Sequence, residues 1–152
     1  MKIAFDLDDT LIPTTKEFHS GSAYTCFWLR SFFNERLRTG AIDLLKKLSK
    51  EHDLWIYTSS LRNASYLKLW FRSFGISLQG IVNQTLHDHD TKSLKSHRFS
   101  KMPDLYAIDY LIDDSPGVHI ECESMRCTCI LVSPSDDDWV NTVSNQLQKE
   151  EL

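Results

Sequence analysis

The chain of 152 residues holds only five glycines and four prolines, too few for a collagen-like repeat or a long flexible linker. It lacks any apolar run near the ~20 residues of a membrane span, so no membrane partner is expected. The first residues put a lysine and then Asp6 where a signal peptide would carry its apolar core, so no export is expected. The protein is therefore read as cytoplasmic. Cysteine is scarce, at four residues, and without export these are reduced thiols. Cys122, Cys127 and Cys129 lack the two paired arms of a structural zinc site and are read as core thiols. Basic excess is missing too. Lys and Arg number 17 against 21 Asp and Glu, a net charge of -4. That balance gives no general attraction to phosphate backbones, and no nucleic-acid partner is expected.

What is present is alternation. Short apolar runs and amphipathic segments take turns along the chain, which predicts an α/β layer fold. Length favours a single domain over residues 1–152. Strands are predicted at Lys2 to Phe5, Leu54 to Tyr57, Gly80 to Asn83, Tyr110 to Ile112 and Thr128 to Val132. A helix rich in aromatics is expected from Ser22 to Leu37, and another from Thr39, with Ile42, Leu44, Leu45 and Leu48 on its apolar face. Ser60 is positioned to cap a helix carrying Ala64, Leu67, Phe71 and Phe74, which Gly75 ends. Ser115-Pro116 is a helix start, a cap followed by proline at the first helical position. Ser135 with Asp138 resembles a capping box before Val140, Val143 and Leu147. The polar stretch Thr85 to Met102 is read as loop.

Right-handed crossovers stack these strands into a parallel five-stranded sheet with helices on both faces, a three-layer Rossmann-like core. Ligands of such sheets sit beyond the carboxyl ends of the strands. The first strand delivers Asp6 and Asp8 there, two residues apart and so on one side. The second delivers Thr58 and Ser59, and the fourth delivers Asp113 and Asp114. Unit charges ~4 Å apart repel by about 4 kcal/mol at an effective dielectric near 20, so four converging carboxylates need protons or a cation. An all-oxygen set of hard ligands selects Mg²⁺. Asp9 is out of phase with Asp6 and Asp8 and receives no role.

These segments resemble the haloacid dehalogenase (HAD) superfamily. Asp6-Leu7-Asp8-Asp9-Thr10 matches its first motif, D-x-D-x-T/V after a strand. Trp55-Ile56-Tyr57-Thr58 resembles the second, and Leu111-Ile112-Asp113-Asp114 the fourth. The third motif is a lysine, for which Lys101, Lys92 and Lys95 all qualify. Lys101-Met102-Pro103 is the best match, because a proline often follows closely in related sequences. The resemblance implies a Mg²⁺-dependent phosphohydrolase acting on phosphomonoesters. Asp6 would attack phosphorus and form an aspartyl-phosphate, and Asp8 would serve as acid and then base. Thr58, Ser59 and Lys101 would bind the phosphoryl group. Asp6, Asp113, Asp114 and the backbone carbonyl of Asp8 would hold the metal.

HAD enzymes usually carry a cap domain, for which there is little room here. The stretch before Gly40 and the stretch from Ser59 to Lys101 are both short. A capless or minimal-cap form follows, with at most a small helical lid over residues 14–38; Trp28, Phe32 and Phe33 at helical spacing are read as core, with lining such a lid as the alternative. The basic cluster Lys92, Lys95, His97, Arg98 and Lys101 leads into the site and could hold an anionic substrate, but apart from the motif lysine it is read as solvated loop, as is the run Thr85 to Asp90. Two other readings compete. A response-regulator receiver is disfavoured, because its phosphorylated Asp ends the third strand and none does here. A non-catalytic HAD-fold binding or regulatory protein is the alternative, against which the retained Asp6, Asp8, Thr58 and Asp113 weigh.

Overall fold

Ile3, Ala4 and Phe5 have no exposed surface at all, the signature of a strand covered on both faces. The structure, a computed structural model, describes residues 1–21, 32–94 and 99–149. Strands β1 (Lys2–Phe5), β2 (Asp53–Tyr57), β3 (Gly80–Val82), β4 (Tyr110–Asp113) and β5 (Thr128–Leu131) form one sheet in the order β3-β2-β1-β4-β5. All of its pairs are parallel. The chain runs outward from β1 to β3, then returns to place β4 on the other side of β1. The reversal leaves a crevice at the carboxyl ends of β1 and β4, where parallel sheets bind ligands.

Alternation along the strands feeds two cores. Ile3, Phe5, Leu54, Ile56, Tyr110, Ile112 and Ile130 pack with buried residues of α1 (Ala41–Glu51), α2 (Ala64–Ser73) and α5 (Trp139–Lys149). On the opposite face, Ala4, Tyr57, Val82, Leu111 and Cys129 pack with Val118 and Cys122 of α4 (Pro116–Cys122). α3 (Gln84–Thr91) joins that face through a hydrogen bond between His87 and Tyr57. This is the three-layer arrangement with helices on both faces. Cys122, Cys127 and Cys129 are buried free thiols of the smaller core. No helix among the described residues is long and apolar enough to cross a membrane.

Several local expectations are corrected. The stretch after Asn83 is helix rather than loop. Asn83 caps α3 by accepting from the N–H of Leu86 at 3.0 Å, and the buried face is made of polar His87 and Thr91, which carries no apolar periodicity. Ser60 does not cap α2. Its hydroxyl is engaged with Thr58, and Asn63 caps instead, accepting from the N–H groups of Ser65 and Tyr66. Ser135 does not open α5, because its N–H is turned onto the Ser133 hydroxyl and the helix starts at Trp139. Residues 32–37 are not helical. Phe33 and Leu37 are driven into the core, and that burial outweighs helix propensity. The rest of the expected helix, 22–31 with Trp28, lies outside the described residues, as do Lys95, His97 and Arg98.

Other expectations hold. Gly75 ends α2 in the left-handed region at φ 78. Its N–H donates to the Arg72 carbonyl, and that of Ile76 to the Phe71 carbonyl, the paired bonds of a Schellman stop. Ser115 caps α4 and Pro116 opens it.

Candidate active site

The chain leaves β1 at Asp6, whose N–H still bonds the Ile112 carbonyl of β4 at 2.9 Å. It then reverses over Leu7 to Ile12. Asp9 takes the left-handed conformation at φ 62 in that turn, a region Asp tolerates better than most residues. Its carboxylate accepts from the N–H groups of Thr14, Thr15 and Lys16 and from the Thr15 hydroxyl. Burial alone would raise the Asp9 pKa, but these donors outweigh it and hold the group below the usual carboxylate range. Asp9, with no role assigned from sequence, is thus the clasp of the loop that carries Asp8.

At the carboxyl edge the acids fall into two groups. In the first, Asp6 and Asp113 are buried, and Asp114 is half-buried. These three can bring one oxygen each within 4.8 Å of one another. Lys101, 3% exposed, sits between two of them. Its Nζ lies 2.5 Å from Asp6 Oδ1 and 2.5 Å from Asp113 Oδ2. Burial raises the Asp6 pKa, with Asp113 adding to it and Lys101 opposing. Burial pulls the Lys101 ammonium down, but Asp6 and Asp113 outweigh it and leave its pKa above the ordinary value. Asp114 is raised by burial and by Asp113, and it accepts a 3.3 Å bond from the buried Thr10 hydroxyl.

In the second group stands Asp8, outside that three-oxygen cluster, though its charge also raises Asp6. Its Oδ1 accepts from the Thr14 hydroxyl at 2.7 Å, and its Oδ2 lies 3.5 Å from the Thr58 hydroxyl. Nη1 of Arg62 reaches both oxygens, at 2.9 and 2.8 Å. The other side of the same guanidinium holds Glu35 Oε1 through Nε and Nη2, at 2.8 and 2.5 Å. Sequence reasoning passed over both Arg62 and Glu35. Charge counting gives a signal for the first, since four carboxylates and one lysine leave room for a second cation and Arg62 lies in the loop after Thr58. Glu35 gives none, because it stands 27 positions from Arg62 in a segment without periodic pattern.

The structure therefore brings together Asp6, Asp113, Asp114 and Lys101, with Thr58 and Asp8 beside them. Thr58 is buried and Ser59 exposed. Lys92, just past α3, is exposed. The other lysine considered for the third motif, Lys95, lies outside the described residues. Bonds of about 2.1 Å to an octahedral Mg²⁺ set its ligands roughly 3 to 4 Å apart. One oxygen each from Asp6, Asp113 and Asp114 lies within 4.8 Å of the others, and they offer the oxygen-only donors such an ion prefers.

No family model matches the sequence, and no curated protein matches it. Solved structures do. A HAD family enzyme from Bacteroides thetaiotaomicron, solved as a magnesium complex, aligns with a TM-score of 0.52 at 12% identity, over 90% of this chain and 95% of that chain. The chain has the HAD-like fold. The five-stranded parallel sheet and its order place the acidic cluster at the carboxyl edge, where open parallel sheets bind ligands.

Proposed function

We propose that this HAD-like protein is a Mg²⁺-dependent phosphomonoesterase that works through an aspartyl-phosphate on Asp6. The observation that carries the reading is the position of Lys101. It bridges Asp6 and Asp113 inside a buried three-carboxylate cluster, while Asp8, two residues from Asp6, stands apart from it on the Thr58 side. Asp6, Asp113, Asp114 and the Asp8 carbonyl would hold the ion. Bound there, Mg²⁺ supplies positive charge that offsets repulsion between carboxylates and phosphate.

The protein's own groups do the rest. Asp6 attacks phosphorus in line with the leaving oxygen. Lys101 and Thr58, with Ser59 beside it, hold the phosphoryl oxygens as charge builds on them. Asp8 gives a proton to the leaving oxygen, then takes one from the water that releases phosphate from Asp6. We read the chain as a single domain over 1–152 of capless or minimal-cap form; among the described residues no separate cap domain stands over the site.

The test is turnover of p-nitrophenyl phosphate and an alkyl phosphate with Mg²⁺, with EDTA, and with Asp6→Asn. Activity that needs Mg²⁺ and vanishes with Asp6→Asn supports the reading. Activity that survives the Asp6→Asn change removes the covalent mechanism. An inert wild-type chain, across a wider panel of phosphate esters, removes the phosphatase assignment.

A further inference from the structure

Arg62 is the one cation beside Asp8 among the described residues, and its surroundings fix it at both ends. Its backbone N–H donates to the Ser60 hydroxyl at 3.4 Å, and its carbonyl accepts from Asn83 Nδ2 at 3.0 Å. Asn83 is itself held as the cap of α3. The side chain therefore projects from fixed ground at the ends of β2 and β3. Its guanidinium spans two carboxylates from distant parts of the chain, Asp8 on one edge and Glu35 on the other. A planar fork with several donors makes that double contact, and a lysine ammonium does not reproduce it. The side chains of Arg62, Asp8 and Glu35 are 21%, 29% and 25% exposed. Water reaches them, so the pairing energy is modest and the geometry is what the trio fixes.

Without Arg62, the Asp8 carboxylate keeps only the Thr14 hydroxyl and a long contact to Thr58. Both contacts are to one hydroxyl each and leave the carboxylate free to rotate toward the cluster of Asp6, Asp113 and Asp114. With Arg62, both oxygens are drawn to the Thr58 side. We propose that Arg62 is the positioning residue for Asp8, with Glu35 as its anchor, so that this pair sets where Asp8 meets the leaving oxygen. The inference rests on the phosphatase reading and adds to it residues outside the four motifs. It also gives the segment around Glu35 a task at the site.

A misplacement of about 1 Å in a reacting group costs on the order of 10²-fold in rate, and losing proton transfer costs about 10²–10⁴. Arg62→Ala, Arg62→Lys and Glu35→Gln are each measured with p-nitrophenyl phosphate and with an alkyl phosphate, in the wild-type and in the Asp8→Asn background. Arg62→Ala should lower kcat for the alkyl ester by about 10²-fold and for the nitrophenyl ester by less than about tenfold, with KM nearly constant. Glu35→Gln should shift the same ratio in the same direction by a smaller factor. In the Asp8→Asn background neither change should matter by more than about twofold, since residues acting through one group do not add. Circular dichroism reports folding, and Glu35→Gln and Arg62→Lys keep the test readable if Arg62→Ala misfolds. Equal loss on both esters, a change in KM alone, or a full Arg62 effect without Asp8 would each overturn the inference and leave the phosphatase reading standing. A wild-type chain inert toward every ester would overturn both.

Discussion

The Tyr57 hydroxyl accepts a 2.8 Å hydrogen bond from the backbone N–H of Met102 and so fixes the residue next to Lys101. The same oxygen lies 2.7 Å from His87 Nδ1 in α3. The end of β2 thereby sets the height of Lys101 above Asp6 and Asp113. Burial pushes the Tyr57 phenol up to about 12, so it stays a neutral hydroxyl through the physiological range. Tyr57→Phe removes the tie to Met102 and leaves the buried imidazole of His87 without its Tyr57 partner, which costs about 1–3 kcal/mol. Thermal unfolding should show that loss, and turnover should fall because Lys101 is less well held. An unchanged melting temperature would break the link.

Lys101→Met strips the cation from Asp6 and Asp113. Removing one partner of a buried pair costs about 3–5 kcal/mol, and burial then raises Asp6 further, so protons partly replace the lysine. Mg²⁺ placed among the same carboxylates should restore part of the loss. The variant's melting temperature should therefore rise more on adding Mg²⁺ than the wild type's does. Equal shifts in the two proteins would argue against a shared carboxylate site for lysine and metal.

Asp9 ties acid stability to the loop of Asp8. Its pKa is lowered in the folded state, with the Thr15 hydroxyl and three N–H groups overcoming burial. Its contribution is therefore complete above the unfolded value near pH 4 and is lost as pH falls through the folded value. Asp9→Asn should cost about 1–3 kcal/mol at pH 7. The gap between wild type and variant in urea unfolding should narrow below about pH 4. A gap that stays constant down to pH 2 would assign the loss to packing instead.

Gly80 faces Trp55 across the β2–β3 pair. A Cβ at Gly80 would lie 2.3 Å from the indole ring, so Gly80→Ala must move a half-buried tryptophan that also stacks under Lys2. Overpacking of this kind costs about 1–3 kcal/mol. Trp55→Leu in the same chain should absorb most of that cost. Additive losses in the double variant would mean that the strain lies elsewhere.

The strands and the acids at their ends were legible because each is written locally. An apolar run ending in Asp-x-Asp or Asp-Asp states both the strand and its edge. α3 was hidden because its buried face is His87 and Thr91, paired by hydrogen bonds rather than by apolar contact. The cap at Asn63 was passed over for the more distant Ser60, whose hydroxyl is engaged with Thr58, and the Ser135 hydroxyl is likewise engaged with Ser133. Arg62 with Glu35, and Lys101 with Asp6, are pairings across 27 and 95 positions. Residue type suggests such partners, but only the folded chain chooses among them. Arg38 shows the same limit. It is buried, and its Nη2 donates to the carbonyls of Ser133, Pro134 and Asp136, tying the loop after β5 to the start of α1 with no carboxylate in that contact.

The central place of β1 bears on how the protein breathes. Its amides lie between β2 and β4, whereas β3 and β5 each have a single neighbour. Edge strands open in small local fluctuations, but the middle of a sheet exchanges its hydrogens only when the whole domain opens. The strand that carries Asp6 is therefore the slowest clock in the molecule. Asp6 keeps its place through every partial unfolding that loosens the edges, and deuterium should enter Ile3 to Asp6 last.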